Sequence, residues 1–170
     1  MNGSIERQIL KHFLGSIAYR TQKAIRGAPP GYWNFSTGNQ ARTPIEVFRH
    51  MTSLLGYART FLIEEKYPIH PEALQSVNTE IDRFHRILED LAQLLESGRP
   101  LNEITEQQLL QGPFSDVMTH VGQLALLRRL YGSPIPPENF IYADISGSRL
   151  GRNQAEPNRP DKEWPERPTT

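Results

Sequence analysis

Asp116 and His120 stand four residues apart in Ser115-Asp116-Val117-Met118-Thr119-His120. On a helix that spacing leaves two side chains about 40° apart around the axis and one turn above each other, so the pair can chelate a cation, and Gln123 continues the stripe. His50 flanks Val47, Leu54 and Phe61 and so lies at the edge of an apolar stripe, as His120 does beside Val117, Leu124 and Leu127. Two neutral imidazoles and one carboxylate on facing helices make an open site for Zn²⁺, Ni²⁺ or Fe²⁺, with positions left for water or substrate. Gln123 can orient a ligand from behind. A plainer reading stands beside this one. A histidine at the edge of a helical stripe is usually half-buried and hydrogen-bonded, and a carboxylate near a helix start is favoured by the unpaired N–H groups and the dipole alone.

Other chemistries fall away on residue type and context. The chain has no cysteine, which removes thiol nucleophiles, iron–sulfur clusters and zinc sites built on thiolates. Ser115, Asp116 and His120 make no triad, because one helix cannot aim all three at a common carbonyl and no strand-to-turn elbow exposes the serine. Gly147 to Gly151 lacks the lysine and the strand–helix setting of a phosphate loop. His12 and His85 fall off the apolar stripes of their helices and His70 precedes a proline, so all three are expected to face solvent. Arg128 and Arg129 offset a C-terminal dipole. Tyr32 and Trp33 form either a plug over one end of the fold or part of a binding mouth.

The elements that must position these residues are helical. Ile5, Ile9, Leu10, Phe13, Leu14, Ile17, Ala24 and Ile25 repeat at three-and-four spacing behind Ser4, and Gly27 and Pro29-Pro30 end the run. Thr43-Pro44-Ile45-Glu46 is a capping box with proline at the first helical position. Phe48, Met51, Leu54, Leu55, Ala58, Phe61 and Leu62 follow it. A third helix is predicted from near Pro71 to Ser97, with Leu74, Val77, Ile81, Phe84, Leu88, Leu91 and Leu95 apolar. A short turn of helix at 105–110 precedes the last helix, about 114–131, which Gly132 closes. The shortest connection, around Glu64 to His70, favours antiparallel second and third helices. Phe13, Leu54, Leu55, Ile81, Phe84, Leu88, Val121 and Leu124 are the predicted core. No segment alternates with period two, so the class is all-α, most simply a four-helix bundle over 1–150. Phe140, Ile141 and Tyr142 are expected to dock on it. Residues 151–170 hold four prolines and an even mixture of charges, composing an extended or disordered tail in which Asn153 to Thr170 adds little to the fold.

The chain of 170 residues carries 19 basic and 19 acidic side chains, enough length for a core without staples. Zero net charge excludes the basic surplus that nucleic acid or an anionic membrane surface demands. Met1 to Ile9 already contains Glu6 and Arg7, so no signal h-region appears, and no apolar run is long enough to span a membrane. A cytoplasmic protein is the expectation.

Thr119-His120-Val121-Gly122-Gln123-Leu124, followed by Leu127-Arg128-Arg129-Leu130-Tyr131-Gly132-Ser133-Pro134, resembles the last helix of the DinB-like (DinB/YfiT) superfamily of bacterial four-helix proteins. His50 in Val47-Phe48-Arg49-His50-Met51 is similar to that family's first metal histidine. The resemblance spans about residues 4–145 and is strongest in the last helix. It implies a four-helix bundle, a divalent metal (commonly zinc or nickel) held by His50 and by a pair on the last helix, and frequently a homodimer. Relatives include transferases and isomerases that use low-molecular-weight thiols on small molecules. His120 matches the second histidine of the pair, and Asp116 stands where the family has the first. The implied site is therefore either a two-histidine, one-aspartate variant serving a thiol-dependent transferase or hydrolase, or a bundle that has lost its metal and works as a non-catalytic binding or structural protein.

Overall fold

A computed structural model describes residues 4–63 and 71–157, and every regular element among them is helical. The first helix, α1 (Ile5–Ile25), begins where the Ser4 hydroxyl accepts the Arg7 N–H, satisfying one orphan donor of the first turn. The chain leaves it through Gly27 at φ +63°. Helix α2 (Pro44–Thr60) opens on the capping box, with the Thr43 N–H donating to Glu46 at 2.8 Å. Helix α3 (Val77–Glu96) starts at Val77 and not near Pro71. The Ser76 hydroxyl accepts the Thr79 N–H there, and the Leu74 N–H is spent on the Glu80 carboxylate at 2.9 Å, so the backbone before Ser76 has partners outside a helix. A single turn, α4 (Glu106–Leu109), passes through a wide turn over Leu110–Phe114, kinked at Gly112, into α5 (Ser115–Leu130). Pro113 cannot donate a backbone bond, which accounts for the break before α5.

α1 and α2 each pack on both α3 and α5, so four long helices close a ring around one core. Arg49 pairs with Glu80 and Arg59 with Asp90, and both partners advance together along their helices, so α2 and α3 run parallel. This corrects the antiparallel expectation. With α3 starting late, the connection covers residues 61–76, and at about 3.3 Å per residue that chain can reach roughly 50 Å, about twice the length of α2. α1 is antiparallel to α3, since Arg7 meets Leu95 while Gln22 meets His85.

Of the predicted core, Leu55, Ile81, Phe84, Leu88, Val121 and Leu124 are buried, with Phe13 and Leu54 partly buried against them. Tyr32 and Trp33 are buried as well. The Tyr32 hydroxyl donates to the Leu124 carbonyl at 2.8 Å and Trp33 lies edge-on to Phe48, which makes the pair a plug rather than a mouth.

Past α5 the chain returns along the helices. Phe140 sits edge-on to Tyr19 with the Arg20 guanidinium 3.8 Å from its ring centre. Ile141 and Tyr142 stay largely exposed, at 81% and 53%, and so lie outside the core that they were expected to join. They occupy one short 3₁₀ turn with Phe140, whose successive side chains splay about 120° apart, so only one can face the helices. Farther on, Gly15 and Gly147 let two backbones meet: a Cβ on Gly15 would stand 2.4 Å from the Ser146 carbonyl oxygen. Leu150 and Gln154 are buried there. The expectation that the chain adds little from Asn153 onward is thus corrected at Gln154, whose carbonyl accepts from Arg26 at 2.9 Å.

His85 is a further correction. It is 3% exposed, held between the Gln22 amide and the Leu150 carbonyl. The apolar stripe of α3 gives no sign of a returning segment that supplies polar partners on its flank. His70 and Trp164 lie outside the described residues.

Candidate metal centre

The wide turn at Leu110–Phe114 sets the start of α5, where the Ser115 hydroxyl donates to the Leu110 carbonyl at 2.6 Å. Val117, Val121 and Leu124 then bury one face of α5 in the core it shares with α2, which also takes in Phe48 and Met51, and the His50 and His120 rings meet between the two helices.

His120 is buried, with Nδ1 2.8 Å from the Asp116 carbonyl oxygen and 3.1 Å from Asp116 Oδ1. In the neutral ring Nδ1–H donates to that carbonyl, so the tautomer follows from the hydrogen bond and the Nε2 lone pair is left for a ligand. The His50 ring centre lies 4.7 Å from that of His120, with the planes 68° apart. Asp116 has 46% of its side chain exposed, which opens the site to solvent.

One ligand atom from each of His50, Asp116 and His120 lies within 4.8 Å of the others. Bonds of about 2.1 Å in a tetrahedral site place donors roughly 3.4 Å apart. The 4.8 Å within which the donors lie is wider than that, while their types, two imidazoles and a carboxylate, are those of a group that could hold a divalent ion. The three residues selected by spacing come together. Gln123 is exposed and lines a neighbouring groove with Thr37, Gln40 and Leu126.

Two features were missed by sequence reasoning. The side chain of Glu80 is fully buried, and its carboxylate takes Arg49 Nε at 2.7 Å, Arg83, and the Leu74 N–H. Burial, the largest influence, pushes its carboxyl up, but the bonds from Arg49 and Leu74 and the charges of Arg83 and Arg49 outweigh that and hold it below the usual value. The signal available was a glutamate on the α3 flank that also carries Phe84 and Ile87. Arg128 is the other: buried, it donates to the Ala24, Arg26 and Ser133 carbonyls. It therefore satisfies the end of α1 in addition to its own dipole.

Comparison of the chain with family models, with curated proteins and with solved structures finds no match to any of them. Among the described residues, no helix is long and apolar enough to cross a membrane.

Proposed function

We propose that this protein is a divalent-metal-dependent bundle of the DinB-like kind, in which His50, Asp116 and His120 hold zinc or nickel and the site acts on a small electrophile as a thiol-dependent transferase or hydrolase. The observation that carries the reading is the convergence of two imidazoles and a carboxylate from α2 and α5 within 4.8 Å, with His120 fixed through Nδ1. The ion would supply a Lewis acid that lowers the pKa of a coordinated thiol or water. The protein's own residues do the rest: the Asp116 carbonyl orients His120, the apolar contact of α2 with α5 excludes water from behind, and the exposed side of Asp116 admits substrate. Any thiol must come from outside, because the chain has no cysteine. A homodimer, as the resemblance implies, is part of the same reading.

Metal analysis of the purified protein and thermal unfolding with added Zn²⁺ or Ni²⁺ test it. An ion that binds only the folded state stabilises it by about 4 kcal/mol at a thousandfold excess over Kd. His120→Ala should abolish that gain, whereas His12→Ala, on an exposed face of α1, should keep it. A metal-free preparation that gains no stability from either ion would favour the non-catalytic bundle, in which the three residues serve only as hydrogen-bonding groups.

A further inference from the structure

The cavity beside His50 has a cationic wall that is held in place. It measures about 330 Å³ and is lined by Arg42, Glu46, Arg49, His50, Ser53, Pro71 and Ala73, a size that accepts a small molecule. Arg49, next to His50 on α2, is clamped through Nε by the buried Glu80 carboxylate. That clamp uses one edge of the guanidinium. Among the described residues its Nη groups donate no hydrogen bond, and 31% of the side chain stays exposed. Arg42 lines the same cavity from the loop before α2 and makes no hydrogen bond or ion pair among the described residues. The one carboxylate of the described lining, Glu46, is engaged by the Thr43 N–H and hydroxyl, both at 2.8 Å. Among the described lining residues two guanidiniums therefore face one carboxylate, whose Oε2 is taken by Thr43 and whose charge Arg49 and Arg42 both favour. A dication held by two neutral imidazoles and one carboxylate would leave a further positive charge beside them.

We propose that this cavity binds the anionic end of the substrate, a carboxylate or phosphate group, with the Nη edge of Arg49 and the guanidinium of Arg42 as its anchors. The inference rests on the metal reading only in placing the reacting end of the substrate at His50. A planar fork suits a two-oxygen acceptor. Its tethering by Glu80 means that little side-chain freedom is lost when the acceptor arrives.

Titration of the ¹⁵N-labelled protein at constant ionic strength tests this, using succinate, inorganic phosphate and the neutral control succinamide, each with and without Zn²⁺. The Nε–H signal of Arg49 reads the cavity and the imidazole signals read the ion. Succinate or phosphate should shift the Arg49 signal saturably while succinamide does not, and whichever binds more tightly identifies the group. Arg42→Ala should weaken that binding by about tenfold, as loss of one charge-assisted contact does. Arg49→Lys, which keeps a cation for Glu80 but removes the fork, should weaken it by a similar factor, read for this variant by isothermal titration calorimetry because the Arg49 signal is gone. If Zn²⁺ moves the His50 and His120 signals but neither anion moves Arg49 more than succinamide does, the anion site is overturned and the metal reading stands. If the anion response and its dependence on Arg42 hold while Zn²⁺ moves nothing, the anion site stands and the metal reading falls.

Discussion

A buried imidazole that stays neutral ties stability to pH with a definite sign. Burial pushes His85 down to about 4, against the Leu150 carbonyl, which works the other way, with smaller effects from Arg152 and Asp82. An unfolded histidine titrates near 6.5, so between those values the unfolded chain binds the proton first. Stability present above about pH 6.5 is lost as pH falls toward about 4, by at most about 3 kcal/mol. His85→Gln keeps a polar side chain there without the titration. Urea midpoints for both proteins across that window should diverge, with the wild type losing more, and parallel curves would sink the assignment. Asp116 allows a second test at this scale, because its side chain is half-exposed. Asp116→Asn should weaken Zn²⁺ binding by more than the about ten- to hundredfold that loss of an outer partner of a ligand costs and leave the melting temperature in chelator nearly unchanged; loss of stability with unchanged affinity would make Asp116 only a helix-start residue. His50, Asp116 and His120 were legible in the sequence because ligand spacing and stripe position are local properties of a helix. Arg49 and Glu80 were not, since the partners lie 31 residues apart and neither has a motif.

Helix starts divide in the same way. The Ser4 cap and the Thr43–Glu46 box are local patterns and were read correctly, whereas the start of α3 depends on Glu80 capturing the Leu74 N–H, a contact no spacing rule announces. Glycines show the matching contrast between a local cost and a tertiary need. Gly122 is exposed in the middle of α5, where a Cβ would meet nothing within 4 Å. Gly122→Ala should therefore raise stability by about 0.5–1 kcal/mol through the lower helix cost of alanine. Gly15 in α1 is the reverse case, since its Cβ would stand 2.4 Å from the Ser146 carbonyl oxygen, and Gly15→Ala should destabilise by about 1–3 kcal/mol as overpacking does. Chemical denaturation of the two variants side by side checks both signs; a stabilised Gly15→Ala would mean that the returning segment does not seat on α1.

At the scale of the whole molecule, helix number and class follow from periodicity, but helix direction does not. α2 and α3 run parallel because the chain between them is long enough to return, and their ion pairs then fall in step. The returning segment is likewise invisible to periodicity, because it holds the helices through backbone approach at Gly15 and Gly147 and through scattered polar contacts. Leu150 is 4% exposed, the Leu150 carbonyl meets His85, and Arg152 reaches Asp82 at 3.0 Å and Asn78 at 2.8 Å. Truncation after Gly147 would uncover the Leu150 site, worth about 2 kcal/mol of apolar burial, and would leave the His85 ring without its carbonyl, at a further cost of about 1–3 kcal/mol. For a chain of this size each kcal/mol moves the melting temperature by roughly 2–4 °C, so a fall on the order of 10 °C is expected. Truncation after Gln154 keeps all of these contacts and loses the Arg26–Glu156 pair, whose glutamate is 80% exposed. A pair so exposed contributes about 1 kcal/mol or less, so this shorter cut should shift the melting temperature by no more than a few degrees. Differential scanning calorimetry of the two truncations decides the matter. Equal melting temperatures would show that the return past Gly147 is seated without holding the helices, and an equal collapse would place essential contacts beyond Gln154.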